Sequence, residues 1–299
     1  MILTLNSNCL IYGSGRWASQ YIKVLESFFP KIKYIYHVGK RLPHYEANNL
    51  IHFDSIEDFN SKHLIYDCSH SIIASTNGKH KGDILQSLSN RLNILCEKPL
   101  WISSRMCNEC ASYSSSHSLK FWESLIPIYA NYLHQLRPYI LPSSTLELVW
   151  KDSLRSVERH GSVKLHDKSI AYFDDVLPNI VATLSGLGIC SHSRPLTLSY
   201  LQEDDLDSGS FQLLGNSFKI NVLYSRKSPS RSRIIQLKNG QDYFFFDYTS
   251  EPGKIVSASP YLNKDSFSDL YFESPLRAQI LDFLFSDSSR KLLSTSSCL

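Results

Sequence analysis

A chain of 299 residues with 42% hydrophobic and 20% charged residues has an ordinary globular composition and is long enough for two packed domains. Its net charge of +3 is too small to point to nucleic acid, and the most basic cluster, Arg226 and Lys227 with Arg231 and Arg233 around Ser228-Pro229-Ser230, reads as a solvated loop. No apolar run reaches the roughly 18 residues of a membrane span, and Met1 to Tyr12 lacks a basic region followed by a cleavage site, so a soluble, cytoplasmic protein is expected.

From the N-terminus, Cys9-Leu10-Ile11-Tyr12 is an apolar run that ends in Gly13-Ser14-Gly15 and passes into a helical pattern at Arg16-Trp17-Ala18. A strand, turn and helix of this kind can cradle a pyrophosphate. Gly13 supplies the turn, Gly15 admits close backbone approach, and Ala18 stands for the third glycine of G-x-G-x-x-G. The free N–H groups of the helix's first turn favour an anion there. The same pattern occurs in methyltransferases. Trp17, Tyr21, Val24, Leu25 and Phe28 recur at helical spacing until Pro30, and Trp17 and Tyr21 read as core contacts against a sheet.

Strands are expected at Ile32 to Val38, Leu50 to Phe53, Leu64 to Cys68 and Leu92 to Cys96, with a further one around Leu119 to Glu123. Between them fall a helical turn near Ser55 to Phe59, capped by Ser55, and a helix from about His80 to Ser89. This alternation predicts an α/β fold whose N-terminal half is a doubly wound parallel sheet of the Rossmann type. Cys9, Cys68 and Cys96 fall in or at the end of separate core strands, which favours reduced thiols. Cys107-Asn108-Glu109-Cys110 has metal spacing, but it lies in a helical pattern with no second pair nearby and no metal is expected.

An NAD-binding enzyme usually has an acid at the end of the second strand for the ribose 2′-hydroxyl. Here His37-Val38-Gly39-Lys40-Arg41 stands in its place, and Glu46 is the first acid afterwards. Two cations would pair instead with a 2′-phosphate, so NADP(H) is favoured over NAD(H). The missing acid also speaks against a methyltransferase.

At the carboxyl end of the fifth strand lies Cys96-Glu97-Lys98-Pro99, on the edge where open α/β sheets bind ligands. A Rossmann start, this Glu-Lys-Pro, His80 seventeen residues upstream of Glu97, and Phe121-Trp122-Glu123-Ser124 followed by an amphipathic helix from Tyr129 to Tyr139 resemble the glucose–fructose oxidoreductase, inositol dehydrogenase and MocA-type family. The resemblance implies a dinucleotide site drawn from Gly13, Ser14, Gly15, Arg16, Trp17, Lys40, Arg41, Ser69, His70, His80, Glu97 and Lys98. It also implies a second domain with a large, mostly antiparallel sheet that holds a small-molecule substrate and often joins copies into a homodimer or homotetramer.

From Thr145 the pattern itself turns strand-like, with runs at Thr145 to Trp150, Leu196 to Leu201, Phe211 to Leu214, Lys219 to Tyr224, Arg233 to Leu237 and Asp242 to Tyr248. The expected boundary lies at 124/125, giving domains 1–124 and 125–299, and a closing helix from Pro275 to Phe285 turns one apolar face to a core.

Family members transfer a hydride to or from a carbinol or carbonyl carbon, using the lysine of Glu-Lys-Pro and an Asp-x-x-x-His pair on a helix of the second domain. By resemblance Lys98 takes the first role. The helix Ala171 to Leu184 offers Asp175 and Asn179 at the right spacing, so Asn replaces His, while the neighbouring register pairs Asp174 with Pro178. Asparagine orients a substrate but does not shuttle protons near neutrality. The proton would come from Lys98, Tyr172, His166 or Asp175, or be needed only once, as in imine reduction; His160 and His166 otherwise read as surface residues. The expected function is an NADP(H)-dependent oxidoreductase acting on a sugar, nucleotide-sugar or biosynthetic imine. The alternative is a dinucleotide-binding sensor or scaffold without turnover.

Overall fold

The computed structural model describes residues 7–42, 48–141, 144–153, 170–191, 193–215, 217–258 and 274–287. They fall into two compact units, the first within Met1–Ser124 and Leu276–Leu292, the second within Leu125–Pro275.

The first unit alternates strand and helix: β1 (Ser7–Tyr12), α1 (Arg16–Glu26), β2 (Ile32–Val38), β3 (Leu50–Phe53), α2 (Ile56–Ser61), β4 (Cys68–Ile73), α3 (Asn77–Ser89), β5 (Asn93–Cys96), α4 (Ser104–Ser116) and β6 (Phe121–Glu123). Its six strands run parallel in the order β3-β2-β1-β4-β5-β6, the doubly wound Rossmann arrangement. Ser55 caps α2, its Oγ accepting from the Asp58 N–H at 3.1 Å.

One strand differs from its expected place. Leu64–Asp67 forms a 3₁₀ turn behind the left-handed His63, and β4 begins only at Cys68. Hydropathy alone favoured the earlier run. The later one carries Ser69, His70 and Ser71, and their polar groups find partners in the sheet: Ser69 Oγ meets His70 Nδ1 at 2.8 Å and Ser71 Oγ donates to the Asn93 carbonyl at 3.3 Å.

The second unit contains α5 (Asn131–His134), β7 (Thr145–Ser153), α6 (Tyr172–Gly186), β8 (Thr197–Asp205), β9 (Ser208–Leu214), β10 (Lys219–Ser228), β11 (Ser232–Asn239), β12 (Asp242–Asp247) and β13 (Lys254–Ala258). Its seven strands are ordered β13-β12-β11-β7-β10-β9-β8, antiparallel except for the β7–β10 pair. The fold is therefore α/β with a second, mostly antiparallel sheet. The helix expected over Tyr129 to Tyr139 is broken into 3₁₀ turns at Ile126–Tyr129 and Arg137–Tyr139 around the one-turn α5. Pro127 and Pro138 sit in those turns, where they remove N–H donors and restrict the residue before them.

The basic cluster is a solvated loop only in part: Lys227, Pro229 and Ser230 are exposed, but two of its arginines are not. Arg226 lies within β10 and Arg233 within β11, and both are buried. Arg233 Nη2 pairs with Asp152 Oδ1 at 2.7 Å and its guanidinium lies 3.8 Å from the centre of the Trp150 ring. Arg226 pairs with Asp207 and donates to the Ile170 carbonyl at 3.2 Å. Alternation along these strands points every second residue inward, and an arginine is tolerated there only when its charge and donors are met.

The closing helix α7 (Pro275–Phe285) packs Ile280, Phe283 and Leu284 into the same core as Ile22, Leu25 and Ile72 of the first unit. Lys120, buried just before β6, holds its end. Its Nζ donates to the carbonyls of Phe283 at 2.6 Å, Ser286 at 2.7 Å and Asp282 at 3.4 Å. The Phe283 carbonyl lies in the last helical turn and the Ser286 carbonyl just beyond it, and a cation suits that end of the dipole. Burial and the Lys120 charge hold the adjacent His70 down to about 3, so the pocket carries one positive charge and not two. Lys120→Met should lower unfolding stability by roughly 1–3 kcal/mol, the cost of leaving buried acceptors unmet. Denaturant titration measures it, and a change below about 0.5 kcal/mol, the range of an ordinary surface substitution, would show that Lys120 does not cap α7.

Candidate functional site

The carboxyl ends of β1, β2, β4 and β5 form one edge of the parallel sheet, and the chain leaves each end differently. After β1 the backbone turns at Gly13 with φ +107°. Its N–H donates to the Val38 carbonyl at 3.0 Å, and a Cβ at this position would overlap the Ala74 carbonyl. Glycine is therefore required twice over, by conformation and by space. Gly15 caps α1 in extended conformation without a side-chain hydrogen bond, no acid lies in the helix's first turn, and a Cβ built on Gly15 meets nothing within 4 Å. This is an uncapped helix N-terminus with open space before it, which fits a pyrophosphate.

Arg16 stacks over the Trp17 ring at 5.9 Å. Trp17 is 38% exposed, so it is not the sheet contact its helical spacing suggested; the buried face of α1 is Ala18, Tyr21, Ile22 and Leu25. Ser14 turns its hydroxyl toward Gly39, where a Cβ would collide with it. Gly39 follows β2 directly and occupies the place of the expected acid, with φ +143° and its N–H bonded to the Phe53 carbonyl at 3.0 Å. Lys40 and Arg41 are exposed beyond it, and neither pairs with a carboxylate among the described residues. Glu46 lies outside the described residues.

At β4 the expectation fails. Ser69 and His70 sit at the amino end of the strand, His70 opposite Cys9 at the start of β1, and His70 is buried against Phe283. Neither reaches the carboxyl edge. The residues that do are Ala74, whose N–H extends the ladder to the Tyr12 carbonyl at 2.9 Å, and Ser75, whose Oγ donates to Asp83 Oδ2 at 2.6 Å. The signal for them was Ser75-Thr76 directly before a helical pattern, a cap signature.

His80 is fully buried beneath this edge, so it supports the loops and does not face a ligand. Its Nδ1 lies 3.1 Å from the Pro99 carbonyl and its Nε2 lies 3.1 Å from the Ser75 carbonyl, tying the loop after β4 to the loop after β5. Burial lowers its pKa, opposed by those carbonyls.

After β5, Glu97 is buried and Lys98 half-buried. Tyr21 donates its hydroxyl to Glu97 Oε1 at 2.5 Å and lies 2.7 Å from Ser124 Oγ, which donates to Gln279 Oε1 at 3.0 Å. One buried polar network thus joins α1, the β5 loop, the end of β6 and α7. Desolvation raises the Glu97 pKa, while the Tyr21 hydroxyl and then the Lys98 charge pull it back. Sequence spacing placed Tyr21 in the core but gave no sign of its hydroxyl's partner.

In the second unit, α6 carries Tyr172, Asp175 and Asn179. Tyr172 is fully buried in that unit's core and donates to Asp152 Oδ2 at 2.7 Å, in the ion pair with Arg233; burial raises its pKa far above the ordinary value. It is a core residue and not a proton donor to a ligand. Asn179 Nδ2 donates to the Asp175 carbonyl at 3.1 Å, inside its own helix, and both residues are half-buried. Pro178 lies within the helix, so the Asp174–Pro178 register offers no functional pair. His160 and His166 lie outside the described residues.

Residues 7–124 match the family model described as an oxidoreductase family with an NAD-binding Rossmann fold. Solved structures share the fold at low identity. The 3-ketoreductase KijD10 from Actinomadura kijaniata, solved with NADP and TDP-benzene, has a TM-score of 0.72 at 11% identity, covering 98% of this chain and 93% of that one. The UDP-N-acetylglucosamine 3-dehydrogenase GnnA from Acidithiobacillus ferrooxidans has a TM-score of 0.66 at 15% identity, covering 93% and 87%. D-galactose-1-dehydrogenase from Rhizobium etli has a TM-score of 0.69 at 11% identity, covering 92% and 88%. A search of curated protein sequences returned no match. With a matching family model over its first unit and the glycine turn, sheet order and Glu-Lys-Pro edge in place, residues 7–124 are similar to the Gfo/Idh/MocA family of oxidoreductases, and the solved structures share the fold of the chain.

Proposed function

We propose that the protein is an NADP(H)-dependent oxidoreductase that transfers a hydride to or from a carbonyl, alcohol or imine carbon of a small polar metabolite. The observation that carries this reading is the pairing of an uncapped α1 terminus with an intact Glu97-Lys98-Pro99 on one sheet edge. The matching family is one with an NAD-binding fold, and NADP is bound in one solved structure of similar fold. The preference for NADP(H) rests on this chain's own residues: Gly39 where an acid would bind a ribose hydroxyl, and Lys40 and Arg41 exposed and without carboxylate partners among the described residues.

When bound, the nicotinamide supplies or accepts the hydride. The chain supplies the rest. The first-turn N–H groups of α1 hold the pyrophosphate. Lys98 presents an ammonium to the reacting oxygen, polarises it and offsets negative charge as the bond order changes. Glu97 is fixed by Tyr21 and by the network through Ser124 to Gln279, so the backbone that carries Lys98 leaves β5 from a rigid base. Asn179 can orient a substrate but cannot relay its proton, which favours Lys98 as the proton-handling group or a substrate that needs one proton only. A sugar, a nucleotide-sugar or an imine in a biosynthetic sequence meets that condition. A sensor without turnover is the second reading, and Asn179 in place of a proton-shuttling histidine is what favours it.

Fluorescence titration should show NADPH binding about 10–100-fold more tightly than NADH, the worth of one or two charge-assisted bonds. Replacing Lys40 and Arg41 together by Ala should erase that difference, and equal affinities in the unaltered protein would remove the NADP(H) assignment. Lys98→Ala should leave the NADPH dissociation constant within about threefold while lowering turnover of a reactive sugar or nucleotide-sugar by about 10²–10³-fold, as for loss of one oxyanion-stabilising donor. Undiminished turnover would take Lys98 out of the chemistry, and binding without turnover across the panel would support the sensor.

A further inference from the structure

Among the described residues, four other than glycine adopt the left-handed backbone region: His63, Arg91, Trp101 and Ser118, with φ of 57°, 54°, 55° and 57°. Three of them end helices. His63, Arg91 and Ser118 stand two residues beyond the ends of α2, α3 and α4 respectively, the position where a left-handed residue closes the last turn. After α3 and α4 the closing bonds are in place, from the Leu92 N–H to the Ser87 carbonyl at 3.0 Å and from the Leu119 N–H to the Ser114 carbonyl at 2.8 Å. Trp101 has no such explanation. It lies between β5 and α4, so no helix ends before it. A bulky side chain crowds the backbone at this φ, and glycine or asparagine would take the position at less cost.

The neighbours of Trp101 turn inward and leave it outside. Leu100 is buried in the core that holds Tyr12, Ile94 and Cys96, and Ile102 packs against the same core. Trp101 between them is 45% exposed, the most open of the chain's four tryptophans. Its indole N–H has no hydrogen-bond partner among the described residues, and none of their aromatic rings or cations lies against its face. The loop is the one that carries Lys98, at the carboxyl edge where parallel sheets bind ligands. Lys98 is three positions away, and three residues of chain span at most about 10 Å. A left-handed backbone under a bulky side chain persists where function fixes that side chain's place.

Indole has two parts that a ligand can use. Its face takes an apolar surface, and its N–H donates to an oxygen at the rim. A pyranose offers both, as a face of C–H groups edged by hydroxyls. A nucleobase also stacks, but in a nucleotide-sugar it is separated from the reacting carbon by a ribose and two phosphates, whereas Trp101 shares one short loop with Lys98. We propose that Trp101 is a stacking platform for the sugar ring that carries the reacting carbon, selecting a pyranose over an open-chain carbonyl compound or an imine. This deepens the oxidoreductase reading given above and rests on it for the role of Lys98. A platform that holds the ring alike before and during hydride transfer acts on KM and leaves kcat in place.

Nitrogen-15 spectra of the full chain with NADPH give four indole N–H signals, and the one lost in Trp101→Gly is that of Trp101. Glycine takes this φ freely, so the variant keeps the loop, and an NADPH dissociation constant within about threefold of the unaltered protein's checks that it does. If Trp101→Gly does not fold, Trp101→Leu, apolar and without a ring, takes its place. The probes are D-glucose, D-galactose and UDP-N-acetylglucosamine, with UDP as the control that has the base and no hexose. At least one pyranose should move the Trp101 signal saturably while UDP leaves it in place. Trp101→Gly should weaken that pyranose about tenfold, the size of one aromatic contact, and Trp101→Phe, which keeps a stacking face, by less than about threefold. Undiminished affinity in Trp101→Gly, a response to UDP equal to that of the UDP-sugar, or no response to any pyranose would overturn the platform. Failure of NADPH to bind, with the pyranose still moving the Trp101 signal, would instead overturn the dinucleotide reading and leave the platform standing.

Discussion

The first unit is built around the confinement of one glycine. Gly13 is held through its N–H by the end of β2, pressed against the Ala74 backbone after β4, and bonded through its carbonyl to His37. Any side chain there would have to displace backbone, and a turn closed on three sides has one conformation. That single conformation aims α1 with its N-terminus open, because the residue that caps it is a glycine and nothing acidic follows in the first turn. Parallel strand order then brings the ends of β2, β4 and β5 to the same edge, so the chemistry of the site is a consequence of how tightly the chain can turn after β1.

Buried charge is the second organising feature, and each instance is met by a specific partner. The Glu97 carboxyl is met by Tyr21, Ser124 and the neighbouring Lys98, which oppose the burial that raises its pKa. Lys120 spends its donors on the end of α7 while His70 beside it stays neutral. In the second unit Arg233, Asp152 and Tyr172 close on one another. Removing one partner from such a set costs more than the set contributes, because the remaining group is left desolvated and unmet.

What was legible in the sequence divides along these lines. β2, β3 and α7 fall on the residues that hydropathy and punctuation marked, because apolar runs of strand or helix length were bounded by proline, glycine or a capping serine. β4 did not. Its interior carries Ser69, His70 and Ser71, whose satisfaction depends on Asn93 in the next strand, and a better apolar run lay just upstream. The same blindness to long-range partners made Arg226 and Arg233 look solvated and Tyr172 look available. At the site, glycine spacing and Glu-Lys-Pro were readable because they are local. The contacts of His80 with Ser75 and Pro99, of Tyr21 with Glu97, and of His37 with His52 and Gly13 join residues far apart in sequence, and no periodicity announces them.

The central claim is that the edge defined by Gly13, Ser75 and Lys98 holds a dinucleotide. The most direct measurement is backbone amide chemical-shift mapping during titration with NADPH. The largest shifts are expected at Ser14, Gly15, Arg16 and Trp17, with accompanying shifts at Lys40, Ser75 and Lys98. No response in that set, or shifts confined to residues beyond Ser124, would contradict it.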